Sequence, residues 1–202
     1  MANQSVNTKE FPIPYSLDAT MAQSASIFKV EIQVSDMNRH YYAAHNLTIA
    51  RHPSETDTRM MLRILAFGLH AGERTDFTRG ISTDDEPDLW EKNDSGEVEV
   101  WIDLGTPDEK RIRKACGIAR EVNIYAYNER GANLWWEKYQ NALQRHDNLT
   151  VCLFDDRTRD AVRDLVSKNM QLQITIQDND VFFGDTTNTI AFSPTILKQG
   201  NN

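Results

Sequence analysis

Cysteine is scarce in this chain: Cys116 and Cys152 are the only two among 202 residues. They share no CxxC spacing, so they build neither a disulfide framework nor a thiolate zinc site, and they read as buried thiols of a reducing compartment, the cytoplasm. Long hydrophobic runs are missing too. No stretch approaches the roughly 20 apolar residues of a membrane-spanning helix, and no basic-then-apolar leader opens the chain. Positive charge is in deficit, with 22 Lys and Arg against 30 Asp and Glu, a formal net charge of -8. That balance argues against nucleic-acid binding by bulk electrostatics alone. It leaves room for a local basic surface, or for a divalent cation bridging carboxylates and phosphate. Neither GxxxxGK[ST] nor a strand-borne GxGxxG occurs, so no glycine loop cradles a nucleotide. None of the five histidines stands at helical spacing from an acid as zinc ligands do. Ser82 and Thr83 lack a histidine partner for acyl transfer.

What is present is an ordinary globular composition, 40% hydrophobic and 26% charged, at a length that suits one domain. Residues 1–25, with two prolines and no sustained period, read as a flexible tail, and Met21 is an alternative start to Met1. Residues 26–195 read as the single domain and 196–202 as a flexible C-terminus. IFKVEIQVSD and HYYAAHNLTIARH alternate as strands about a turn at Asp36–Asn38. A helix is expected from Pro53–Ser54 to about His70, with Ser54 as N-cap and Asp57 as capping-box partner. Its middle, MMLRILAFGL, is apolar almost all round, the mark of a central helix. A second helix is expected to begin with Thr106 as N-cap, Pro107 at the first helical position and Glu109 closing the box. Its core stripe is Ile112, Ala115, Cys116 and Ala119. VNIYAY and LTVCLF read as strands, ANLWWEKYQNALQ and TRDAVRDLVSKN as helices, and LQITIQDNDVFFGD as a hairpin followed by a short strand near TIAF. Interleaved elements with hairpins at both ends imply an α/β or α+β fold, a mixed β-sheet flanked by helices. Trp135, Trp136 and Tyr139 could stack bases, but with Leu134, Ala142 and Leu143 beside them they read first as core.

The chemistry concentrates between Ser82 and Lys114. In EVEVWIDLG, Val98, Val100, Ile102 and Leu104 share one strand face, the core face, and Glu97, Glu99, Trp101 and Asp103 share the other. Asp84, Asp85, Glu86 and Asp88 precede them. So many carboxylates repel one another unless a cation, arginines or water separates them. One reading is a solvated acidic loop and strand face. The other is that Asp88 and Asp103 approach across a hairpin and bind Mg²⁺ or Mn²⁺, which need a few oxygen ligands and would activate water against a phosphoryl group. Glu55 is either a third ligand or, with Arg59 and Arg63, an i, i+4 charge stripe at a helix start.

The segments ARHPSETDTRMMLRILAF, STDDEPDLW, WIDLG followed by PDE and RIRKACG, LWWEK and LQITIQD together resemble the bacterial YaeQ family, over about residues 22–192. That resemblance implies a fold like that of the PD-(D/E)xK nucleases, a restriction-endonuclease-like core with additional antiparallel strands, and a divalent-metal site. Pro87–Asp88 would fill the first acidic position, Asp103 the second, and Glu55 the extra acid. The motif lysine is replaced by Gly105. A cation there orients the attacking water and offsets charge on phosphate. Lys114 is the substitute the family pattern implies, and Arg111 is as well placed on the helical wheel, although arginine carries no proton.

Three functions compete. The first is a Mg²⁺-dependent phosphodiesterase acting on nucleic acid, with Glu55, Asp88 and Asp103 holding the metal and Arg111 or Lys114 the phosphate. The second is a non-catalytic interaction protein with a degenerate nuclease scaffold, whose partner would lie in transcription, as the family's association with elongation implies. The third is a structural protein whose acids are neutralised by arginines.

Overall fold

Strand β1 (Ser26–Asp36) buries every second residue, and this single alternation sets the layering of the computed structural model, which describes residues 25–78 and 85–201. Phe28, Val30, Ile32 and Val34 point into the core while Lys29 and Gln33 face water. β1 pairs antiparallel with β2 (Tyr41–Arg51) and parallel with a late strand, β8 (Asn169–Gln177). β9 (Asp180–Gly184) and β10 (Thr189–Phe192) complete a five-stranded sheet in the order β10-β9-β8-β1-β2. A second sheet has the order β11-β7-β6-β5-β4-β3. Its centre is three parallel strands, β5 (Val98–Leu104), β6 (Glu121–Ala126) and β7 (Leu149–Leu153). Antiparallel β4 (Leu89–Lys92) and β3 (Thr75–Phe77) extend one edge, and β11 (Thr195–Lys198) extends the other.

The expected mixed α+β fold is therefore present, with two mixed sheets where the pattern suggested one. Helix α1 (Asp57–Leu69) explains why two are needed. Nine consecutive residues, Met60–Gly68, are buried, so one sheet could not cover it. It lies with α4 (Asp156–Arg163) in a core that takes side chains from both sheets. The opposite face of the second sheet carries α2 (Glu109–Ile118) and α3 (Glu129–Leu143) over a separate core of Trp101, Ile112, Val122, Ile124 and Trp135. The stack is thus sheet, helices, sheet, helices.

Several local expectations shift. α1 is capped by Thr56, whose side chain accepts from the Arg59 amide, and not by Ser54. A turn bonding the Glu55 amide to the His52 carbonyl at 2.9 Å delays the helix, and the Ser54 hydroxyl is engaged with His52 Nδ1 at 2.7 Å. α2 is capped by Asp108, not Thr106; the carboxylate accepts from the Arg111 amide at 2.8 Å, and Trp135 Nε1 takes the Pro107 carbonyl at 2.8 Å. Leu134 is 61% exposed while Trp135 is buried, so that helix turns a narrower apolar face inward than LWW suggested. β11 lies where a flexible C-terminus was expected, held by pairing with β7 and by the Gly200 amide on Thr150 Oγ1 at 3.1 Å. Residues 1–24, Asp84 and the Ser82–Thr83 pair lie outside the described residues.

The C-terminus of α1 is held from the β1–β2 turn. Arg39 donates from Nη1 to the Ala71 carbonyl at 3.2 Å, and from Nε to Asp36 Oδ2 at 2.6 Å. The Asp36 side chain is 4% exposed. Burial works to raise its pKa, but the Arg39 side chain and the turn amides more than offset this and lower it. Arg39→Ala is expected to cost about 1–2 kcal/mol, by leaving a buried carboxylate half satisfied. Urea unfolding at neutral pH measures it.

Candidate functional site

The parallel strands β5, β6 and β7 each run directly into a helix, so the N-termini of α2, α3 and α4 gather at one end of the second sheet. In open α/β sheets that carboxyl end is where ligands bind. Asp103 stands one residue before the end of β5. Gly105 turns the chain out of the strand at φ +96, with its amide on the Tyr125 carbonyl at 2.9 Å. A lysine at that place would need a left-handed backbone that side-chain-bearing residues resist. Glycine there is a requirement of the turn.

The three acids expected to hold a metal are all buried: Glu55 is 4% exposed, Asp88 3% and Asp103 2%. Each is matched by arginine. Arg63, itself 4% exposed, grips Glu55 with two parallel bonds, Nε to Oε1 and Nη2 to Oε2, both 2.7 Å. Arg111 grips Asp103 in the same way, Nε to Oδ2 and Nη2 to Oδ1, both 2.8 Å. Trp101 Nε1 adds a bond to Asp103 Oδ2 at 3.0 Å, and Arg111 Nη2 also reaches the Glu86 carbonyl at 2.8 Å. Such fork-to-fork pairs are the geometry that lets a carboxylate be taken out of water.

Asp88 is held differently. Its Oδ2 accepts from the Leu104 amide at 2.8 Å and from Arg59 Nη2 at 3.0 Å. Its Oδ1 lies 2.8 Å from the same Nη2 as an ion contact, yet no aligned donor meets it. Burial raises the Asp88 pKa, opposed by Arg59 and the Leu104 amide, and the charge of Asp103 adds to the rise. Arg59 shows the complement: burial works against its charge, and Asp88, Tyr127 and Glu55 more than restore it. Burial also raises the Tyr127 pKa, with Arg59 acting the other way.

Asp88 and Asp103 thus feel each other's charge, but they are anchored to different helices, Asp88 to α1 and Asp103 to α2. Lys114 is not with them. It pairs with exposed Asp85 at the surface, which lowers the Asp85 pKa. Of the two candidate cations, Arg111 is the one at the acids. Trp101 lies on the strand face opposite Ile102 and Leu104, as the alternation placed it with Asp103, and both Trp101 and Asp103 are buried because α2 and α3 cover that face with a second core. Glu97 is exposed and Glu99 half-buried, as expected. Arg59, Arg63 and Tyr127 were missed as site residues. Arg63 carried a signal, since a charge in the middle of an all-round apolar helix must have a buried partner.

A divalent cation does not fit these side chains as arranged. Both oxygens of Glu55 and of Asp103 are taken by guanidinium groups, and only Asp88 Oδ1 is without a donor. Among the described residues no three His, Cys, Asp or Glu side chains gather as metal ligands would. Nor, among the described residues, is any helix long and apolar enough to cross a membrane.

The comparisons with known proteins agree on kinship. The family described as YaeQ protein matches residues 21–194, from just before β1 to just past β10. YaeQ of Escherichia coli is 43% identical over 179 residues, covering 89% of this chain and 99% of that one. YaeQ of Salmonella typhi is 42% identical over the same length and coverage. The crystal structure of YaeQ from Xanthomonas axonopodis pv. citri superposes with a TM-score of 0.84 at 43% identity, covering 87% of this chain and 99% of that one. That of YaeQ from Pseudomonas syringae gives 0.81 at 29% identity, covering 88% and 98%. With a family match over residues 21–194 and relatives above 40% identical across nearly their whole length, the chain belongs to the YaeQ family.

Proposed function

We propose that this chain is a non-catalytic interaction protein built on a nuclease-like frame, in which arginines stand where a catalytic cation would. The observation that supports this reading is the double fork, Arg63 on Glu55 and Arg111 on Asp103, all four bonds at 2.7–2.8 Å. In two of the three acids that would hold a metal, both carboxylate oxygens already accept from arginine. The family's association with transcription elongation makes that machinery the partner class to test. Plasmid DNA and structured RNA incubated with the protein in Mg²⁺ or Mn²⁺ are expected to stay intact, and Mn²⁺ is expected to leave the thermal midpoint unchanged. Metal-dependent nicking that disappears in Asp103→Asn would overturn the reading.

A second reading, a metal-dependent phosphodiesterase on nucleic acid, keeps one observation in its favour. Asp88 Oδ1 is buried without a donor, and such an atom calls for a reason. That reading requires Arg111 to leave Asp103 for a phosphate. Nicking by the wild-type protein, weakened by Arg111→Ala, is the result that would establish it.

A further inference from the structure

Three of the four sheet edges are blunt. β3 has three residues, β10 has four, and β11 has four with a register shift between Ile196 and Lys198. Short, irregular edges are how folded proteins avoid strand-to-strand association. The fourth edge is β2. It runs for eleven residues, Tyr41–Arg51, and pairs with β1 in unbroken register from Ser26↔Arg51 to Asp36↔Tyr41. It contains no proline, no lysine and no acid, and its only formal charge is Arg51 at the end. Among the described residues no backbone group pairs with its outer edge. Its inward row is also incompletely covered. Tyr41, Ala43, His45 and Leu47 are half-buried, whereas their β1 partners Asp36, Val34, Ile32 and Val30 are 0–3% exposed.

We infer that β2 is the seat of a second copy of this chain, joined antiparallel across a twofold axis so that two five-stranded sheets become one continuous sheet. The strand is complementary to itself. With the axis at Asn46 all eleven residues find partners: outward, Asn46 meets Asn46, Ala44 meets Thr48 and Tyr42 meets Ala50. Inward, His45 meets Leu47, Ala43 meets Ile49 and Tyr41 meets Arg51. No like charges oppose each other, which matters because like charges directly opposite destabilise a strand pair. An isologous contact of this kind closes at two copies and grows no further. The local neutrality of the edge lets it form despite a net charge of -8 per chain, which is carried elsewhere.

Sedimentation equilibrium of the full chain at physiological salt, from micromolar to millimolar, is expected to show a monomer–dimer equilibrium. The double variant Ala44→Lys, Asn46→Lys sets ammonium groups facing one another across the axis and is expected to remain monomeric, with an unchanged circular dichroism spectrum because both positions are exposed. Hydrogen exchange on the unmodified protein gives a readout independent of the variant. Alternate amides of β2, those not bonded to β1, should become protected as concentration rises. A monomer at every concentration overturns the inference, and so does a dimer that the double variant leaves intact or that protects no β2 amide. Protection appearing only on adding another protein would give the edge to a different partner and overturn it as well.

Discussion

Replacing Arg63 with leucine is expected to cost about 3–5 kcal/mol of folding stability, because it leaves the Glu55 carboxylate buried with its charge unmatched. The two side chains are 5% and 2% exposed. The remaining nearby cation, Arg59, stands 3.5 Å from Oε1, and it is already occupied with Asp88. At roughly 2–4 °C per kcal/mol for a chain of this size, the midpoint should fall by roughly 6–20 °C. The double variant Glu55→Leu, Arg63→Leu should recover most of the loss, since removing both charges removes the desolvation penalty as well. A single variant costing under about 1 kcal/mol would show that water reaches Glu55, and the pair would then behave like a surface bridge. Thermal and urea unfolding of the three proteins side by side decide it.

This expectation bears directly on function. A pair whose members cannot separate without several kcal/mol is a poor candidate for a side chain that must exchange guanidinium for metal in each turnover. Arg111 and Asp103 have the same bidentate geometry, but Arg111 is 25% exposed, so water can accompany its departure. If either fork opens to a ligand, it is this one.

Much of the fold was legible because its signals are local. The alternation in β1, the turn before β2 and the β8–β9 hairpin follow from period-two patterning with turn residues between the strands, and α1 announces its burial by being apolar on every side. The division into two sheets was not legible. Nothing in a strand's own pattern says that β1 will pair with β8, some 140 residues later, and not with β5; that choice depends on α1 needing cover from both sides. The same non-local cause hid the environment of Asp103. A strand with alternating acids reads as half-exposed, and only the docking of α2 and α3 encloses Trp101 and Asp103. The pattern drew attention to Glu55, Asp88 and Asp103 and left Lys114 and Arg111 open as their cation; in the fold Arg111 lies on Asp103 and Lys114 at the surface with Asp85. What the one-dimensional pattern lacked was the direction of Arg59 and Arg63, whose spacing from Glu55 fits an exposed stripe as well as a buried clamp.

Acidification is expected to expose a second buried polar device. His70, at the C-cap of α1, faces Tyr125 on β6, with Nε2 2.6 Å from the phenol oxygen. Burial raises the Tyr125 pKa well above its ordinary value, so the phenol keeps its proton and donates it to a neutral imidazole. Burial, with Arg39 acting in the same sense and Asp36 in the opposite one, lowers the His70 pKa to about 4. The unfolded chain, with histidine near 6.5, then binds more protons than the folded one between these values. Stability from this group is fully present above about pH 6.5 and is lost as pH falls toward about 4. At about 1.4 kcal/mol per pH unit the full span bounds the loss at about 3 kcal/mol, and partial exposure of the residue places it nearer 2–3. His45, which burial also lowers, adds to the same window. Asp36, held low by Arg39, acts only below it. The slope of stability between pH 7 and 4.5 should therefore be steeper in the wild-type protein than in His70→Gln, which has no proton to bind there. Equal slopes in the two proteins would mean that the imidazole takes up its proton in the fold as readily as in the unfolded chain, with water or Asp36 stabilising the charge.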